Sequence, residues 1–136
     1  MFEHQIQLRV RYSETDQMGY VYYGNYAQYF EVARVESLRS LGITYKELEE
    51  EGILLPVLDF SIKYFKPAFY DDLLSIKVMI PVLPATRIIF EYETSNQSEE
   101  IINKATTTLV FIKKQSGKPC IAPDDVISRM NKYYAP

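Results

Sequence analysis

The 136-residue chain has one histidine and one cysteine. With His4 as the single imidazole, a Ser-His-Asp triad would have to be built from the tip of the first strand, and none is expected. Cys120 alone excludes an internal disulfide and a cysteine-rich zinc site, and in "SGKPCIAP" it reads as a turn residue. A basic excess is also missing: the net charge is −3, which argues against phosphate-backbone recognition. "KYFK" at 63–66 reads as alternation along a strand instead of a base-stacking platform. No apolar run is long enough to span a bilayer, and "MFEHQIQLRVRY" alternates where a signal peptide would carry an apolar stretch. A cytoplasmic protein with no membrane span is expected. The G-x-S-x-G elbow, the P-loop and the dinucleotide fingerprint are absent as well.

What is present is ordinary globular composition, 47% hydrophobic and 24% charged, over the length of one domain, 1–136. "EHQIQLRVRY" sets Gln5, Gln7, Arg9 and Arg11 opposite Ile6, Leu8 and Val10, which predicts a half-buried strand. Tyr26, Tyr29, Phe30, Ala33, Ser37, Leu38 and Leu41 then recur at helical spacing, with Gly42 placed to end the helix after about seventeen residues. Asn25 and Gln28 resemble a capping box, and "TYKE" at 44–47 predicts a second, short helix. Beyond Leu54, "LPVLDFSIKYFK", "LLSIKVMIPVL", "TRIIFEYETS" and "EIINKATTTLVFIKK" read as four strands with short connections suited to an antiparallel meander. "DDVISRMNKYY" would add a terminal helical turn. The order predicts an α+β fold in which an antiparallel sheet of five or more strands wraps one long helix. Adjacent acids at 71–72 and 124–125 read as strand or helix starters, not as shared metal ligands.

The concentrated chemical signal lies in "SETDQMGYVYYGNYAQYFEVAR", residues 13–34. An acid, Asp16, precedes a helix start whose first N–H groups have no partners within the helix. A carbonyl polarised there would lie beside a carboxylate able to attack it or to take a proton from water. A plain turn or helix cap accounts for the spacing equally well.

The residues Thr15-Asp16, Gly19, Val21-Tyr22-Tyr23, Asn25-Tyr26, Glu31 and Ala33-Arg34 give this stretch its resemblance to the 4-hydroxybenzoyl-CoA thioesterase family, in its YbgC-like acyl-CoA thioesterase branch. "IKYFKPAFYDDLLSIKV" at 62–78 is similar to a second, less specific block. The resemblance implies a hotdog fold and homodimers joined sheet edge to sheet edge, often paired into tetramers. It also implies hydrolysis of an acyl-CoA, or of an acyl carrier protein thioester, with no cofactor beyond the coenzyme A of the substrate. By the same resemblance Asp16 is the catalytic carboxylate, nucleophile or base, and the backbone N–H of Tyr23, or of Gly24, polarises the thioester carbonyl. Gly19 would let the loop approach the acyl group, and Val21, Tyr22, Tyr26 and Glu31 would line its site. Glu31 equally fits an i,i+3 ion pair with Arg34. Lys63 and Lys66, with Arg87, Lys113 and Lys114, are candidates for the CoA phosphates. One common form of the branch has histidine where Tyr23 stands, and a phenol is a poor proton carrier at neutral pH. Two other functions fit the same fold: acyl-thioester binding without turnover, and enoyl-thioester hydration, which usually pairs an acid with a histidine.

Overall fold

The computed structural model describes residues 1–134. Strand β1 (Phe2–Arg9) leads through a loop into helix α1 (Asn25–Ser40) and the short helix α2 (Tyr45–Glu50). Strands β2 (Ile53–Leu54), β3 (Val57–Tyr64), β4 (Leu73–Ile80), β5 (Arg87–Ser95), β6 (Ile101–Val110) and β7 (Ile112–Lys113) follow, and α3 (Asp124–Met130) closes the order. No helix among the described residues is long and apolar enough to cross a membrane.

The apolar stripe of α1 is the one its spacing predicts. Tyr26, Tyr29, Phe30, Ala33, Ser37 and Leu38 are buried, and Arg34 is buried with them. Residues three and four apart share a helix face, so these side chains form one continuous strip toward the sheet. The helix stops where Gly42 takes a φ of +82°, with its N–H on the Arg39 carbonyl at 2.9 Å and the Ile43 N–H on that of Leu38 at 3.0 Å. Such a left-handed residue satisfies carbonyls that the last turn leaves open. At the other end the Asn25 capping box does not form. Gly24 is the cap, and the Asn25 side chain donates instead to the Glu14 carbonyl at 2.8 Å, tying the helix start to the entering loop. Of the second box one half forms: Thr44 Oγ1 accepts from Glu47 N–H at 3.2 Å, an N-cap without the reciprocal glutamate bond among the described residues.

The main sheet is antiparallel in the order β1-β4-β5-β6-β3. Only β4, β5 and β6 form the expected meander. Strand β3 pairs with β6 at the far edge, so the chain must pass from one edge of the sheet to the other before β4. This long-range pairing lets the sheet curl around α1 with β1 and β3 as its two edges. Inward residues of β4 and β5, among them Leu74, Ile76, Val78, Ile80, Ile88, Phe90 and Tyr92, are at most 1% exposed. Phe30 of α1 stacks on Tyr92 with ring centroids 4.5 Å apart, joining helix to sheet at the centre of the core. Alternation disappears along β3, where both faces are open and Val57, Leu58, Phe60 and Tyr64 are exposed. The β2/β7 pair forms a separate two-stranded sheet. Two residues are too few to show a period, so neither strand could be read from pattern.

Thr44→Ala removes the cap of α2 while leaving the α1 strip intact. Urea titration should show a loss of about 1 kcal/mol in unfolding free energy, the usual cost of a lost N-cap.

Candidate functional site

The loop between β1 and α1 is held by one buried carboxylate. After a 3-10 turn at Tyr12–Glu14, the Glu14 side chain accepts from the Arg11 N–H at 2.8 Å, from Arg11 Nε at 3.0 Å and Nη2 at 2.8 Å, and from the Tyr29 hydroxyl at 2.8 Å. Its backbone carbonyl accepts from Tyr22 N–H at 2.9 Å and from Asn25 Nδ2. Glu14 thus clamps both sides of the helix entrance. Burial works against its charge, but the Arg11 and Tyr29 hydrogen bonds outweigh that and hold its carboxyl below the usual carboxylate range. Burial and the adjoining Glu14 together push the Tyr29 phenol far above its ordinary value, so this hydroxyl stays a donor.

Asp16 lies just beyond the clamp in a tight loop. Its N–H donates to the Tyr20 carbonyl at 2.8 Å, and its carbonyl accepts from Gly19 N–H at 3.0 Å. The side chain turns inward on the same loop: Oδ1 accepts from Met18 N–H at 2.9 Å and from Tyr20 N–H at 3.2 Å. Oδ2 has no partner among the described residues. The loop then docks through Val21, which is buried and donates its N–H to the Ala68 carbonyl at 2.8 Å. Tyr23 and Gly24 follow, and the N–H groups of both donate to nothing among the described residues, while Asn25 and Tyr26 turn back on the carbonyls of Tyr22 and Tyr23. These are free amides at the positive end of a sixteen-residue helix.

Asp16 and Tyr23 line a common cleft of about 330 Å³ with Val21, Tyr26, Tyr64 and Lys66. Sequence reasoning missed Tyr64, Met18, Tyr20, Phe65 and Pro67, which also border it and come partly from the end of β3. The pairing of β3 with β6, together with the docking of Val21 on the Ala68 carbonyl, brings the 64–67 segment to the helix start. The Tyr26 phenol is pushed up to about 12 by burial and then by Tyr64, so it is a neutral wall of the cleft.

Of the other sequence candidates, Lys66 borders the cleft and Gly24 adjoins Tyr23, while the rest stand outside the lining. Gly19 is outside the cleft lining, has nothing within 4 Å of where a Cβ would stand, and serves the turn through its φ of +81°. Tyr22 is exposed, with its ring 4.8 Å from that of Tyr23. Gly24 has an ordinary helical φ of −65°, but a Cβ there would come within 2.9 Å of the Tyr22 ring. Lys66 pairs with Glu100, whose carboxyl is held below its usual range by that contact. Lys63 lies 5.8 Å over the Phe65 ring and borders the outer face of the sheet with Glu93 and Lys104, away from Asp16. The Glu31–Arg34 ion pair does not form, because Arg34 turns into the core onto Tyr92 and Tyr45 while Glu31 stays exposed. Glu31 borders a second cavity, of about 310 Å³, between α1 and β3.

Residues 10–130 match the family described as the thioesterase-like superfamily. The chain is 36% identical to YneP of Bacillus subtilis over 113 residues, 83% of this chain and 82% of that protein. It is 32% identical to the acyl-CoA thioesterase YbgC of Haemophilus influenzae over 120 residues, 88% of each. The structure of a DHNA-CoA thioesterase from Staphylococcus aureus superimposes with a TM-score of 0.85 at 33% identity, covering 98% of this chain and 85% of that one. A helix wrapped by this antiparallel sheet is the hotdog fold of these relatives, and the α+β expectation holds.

The clamp predicts a pH signature. A carboxyl held below its ordinary value contributes stability that is present above that value and is lost as the pH falls through the lowered one. Glu14→Gln should therefore lower the urea midpoint at pH 7, and the gap to wild type should shrink as the pH is taken below about 4. A gap of constant size across that range would show that the charge of Glu14 is not what holds the loop.

Proposed function

Because the chain belongs to the thioesterase-like superfamily, we propose that it is an acyl-CoA thioesterase, hydrolysing an acyl-CoA to a carboxylic acid and free CoA thiol. The observation that carries this reading is the cleft shared by Asp16 and Tyr23, with a carboxylate on one side and unpartnered helix-start amides on the other. A thioester carbonyl oxygen on the Tyr23 N–H, with Gly24 N–H adjacent, would meet donors that need no rearrangement as negative charge builds there. Asp16 Oδ1 is fixed by two backbone donors, which leaves Oδ2 to act. It either attacks the carbonyl carbon, giving a mixed anhydride that water then opens, or takes the proton of a water that attacks directly; CoA thiolate leaves in both cases and is protonated. The phenols of Tyr26 and Tyr64 are raised by burial and remain neutral, supplying an apolar wall for the acyl group.

The second copy implied by edge-to-edge pairing has a candidate surface in β3. An exposed edge strand carrying Val57, Leu58, Phe60 and Tyr64 is a liability in a lone protomer and a ready template for pairing with an identical strand. The phosphates of CoA would then be met by basic residues at the rim, where Lys66 would have to release Glu100 to take part.

Thiol release from a panel of acyl-CoA thioesters tests the chemistry. Asp16→Asn should lower kcat by about a hundredfold or more, the typical worth of a positioned acid-base group. Tyr23→Phe should stay within a few-fold of wild type, because it keeps the amide. Equal rates for Asp16→Asn and wild type would sink the mechanism; binding without turnover of any thioester would make the protein a binder. Light scattering of Leu58→Lys should report a smaller particle than wild type if β3 is the joining edge, and an unchanged mass would remove that assignment.

A further inference from the structure

Asn103 is wholly buried, and neither its Nδ2 nor its Oδ1 meets a hydrogen-bond partner among the described residues. Thr94 Oγ1, equally buried, is unpartnered as well. Thr94 and Asn103 stand opposite one another in the pairing of β5 with β6, and on its other side Asn103 stands opposite Tyr64 of β3. Directly opposed residues of antiparallel strands project from the same face of a sheet. Thr94, Asn103 and Tyr64 therefore form one row across three strands.

A bulge lies beside Asn103. The register of β5 with β6 passes from Thr94 opposite Asn103 to Ser95 opposite Ile101, which leaves Ile102 as the extra residue. Such an insertion bends a strand and re-aims its side chains. The Ile102 carbonyl accepts from the N–H groups of Phe65 and Lys66 at 2.8 and 3.1 Å, so the same irregularity anchors the segment that borders the Asp16 cleft. Tyr26 of α1 packs against the Tyr64 end of the row, with ring centroids 5.6 Å apart. Burial and then Tyr64 raise the Tyr26 phenol, while the Ala68 N–H and the Asn103 side chain oppose that rise through the polar hydrogens they turn toward its oxygen. Tyr26 and Tyr64 line the cleft and Asn103 and Thr94 do not, so the unpartnered atoms stand behind the cleft's aromatic wall.

Each buried polar atom left unpaired carries the full cost of its desolvation, and three neighbouring ones call for a shared partner. The set is an amide donor, an amide acceptor and a hydroxyl, which matches a molecule that both donates and accepts. Resting on the thioesterase reading for the role of the cleft, we propose that Asn103 and Thr94 hold ordered water behind the wall formed by Tyr26 and Tyr64, and that Asn103 is through it a positioning residue for the Tyr26 ring against which the acyl group lies. The water carries the hydrogen bonds of the row on to the Tyr26 hydroxyl and fixes the ring from behind, where no substrate atom touches it.

The test has a structural arm and a kinetic one. A high-resolution crystal structure of the wild-type protein should show water within hydrogen-bond distance of Asn103 and Thr94, and a dry row there overturns the site. In Asn103→Leu, KM for an acyl-CoA that wild type turns over should rise about fivefold or more while kcat stays within about twofold, because the Asp16 carboxylate and the Tyr23 amide are untouched. Thr94→Val should move KM in the same direction, and Thr94→Ser, which keeps the hydroxyl, should stay near the wild-type value. An unchanged KM in Asn103→Leu and Thr94→Val, or a fall in kcat alone, overturns the positioning role and leaves the thioesterase reading intact; Thr94→Val decides it if Asn103→Leu does not fold. Absence of turnover with every acyl-CoA fells the thioesterase reading and the positioning role together, while the crystal structure still decides the water site.

Discussion

The burial of one carboxylate, Glu14, is the constraint on which the rest of the site depends. A charge taken out of water must be fully hydrogen-bonded, and Glu14 meets that demand by drawing on the Arg11 backbone, the Arg11 guanidinium and the Tyr29 hydroxyl together. Tyr29 belongs to α1 and Arg11 to the end of the first strand's exit, so satisfying this one side chain sets the distance between loop and helix. The Glu14 carbonyl then fixes Tyr22 and Asn25, on the two sides of Tyr23 and Gly24. The two free amides are left free because their neighbours are already tied.

The helix α1 serves the fold and the site with different parts of its length. Its middle is core, where Phe30 stacks on Tyr92 and Ala33 is fully buried. The residues just before it, Tyr23 and Gly24, carry the open amides, and its face toward β3 borders the second cavity. Packing and chemistry do not compete, because the amides point along the axis while the side chains that hold the helix point across it. The edge strand β3 supplies the opposite wall and pays for that position with exposed aromatics.

Much of this was legible in the sequence. The period-3.6 strip of α1, the glycine stop at position 42, the Thr44 cap and the alternation of β4 and β5 are local regularities that a single stretch of chain carries. Asp16 before a helix start was visible for the same reason. Asn25 was misread because a cap residue and a loop anchor use the same side-chain amide, and only the position of Glu14 decides between them. Helix spacing offers Glu31 as one partner for Arg34, yet Tyr45, Tyr92 and Thr107 make the core polar at that point, and none is its neighbour in sequence.

The sequence by itself determined the elements, their faces and the loop that carries the acid, since each is written in spacings of two to four residues. Tertiary structure alone decided that β3 crosses to the far edge, that Tyr64 through Pro67 meet the helix start, and that Arg34 is buried among phenols. Those facts depend on strand pairings across about forty to fifty residues and on which side chains then share a cavity. A local pattern fixes which way a residue faces along its own element, and the packing of elements fixes what it faces.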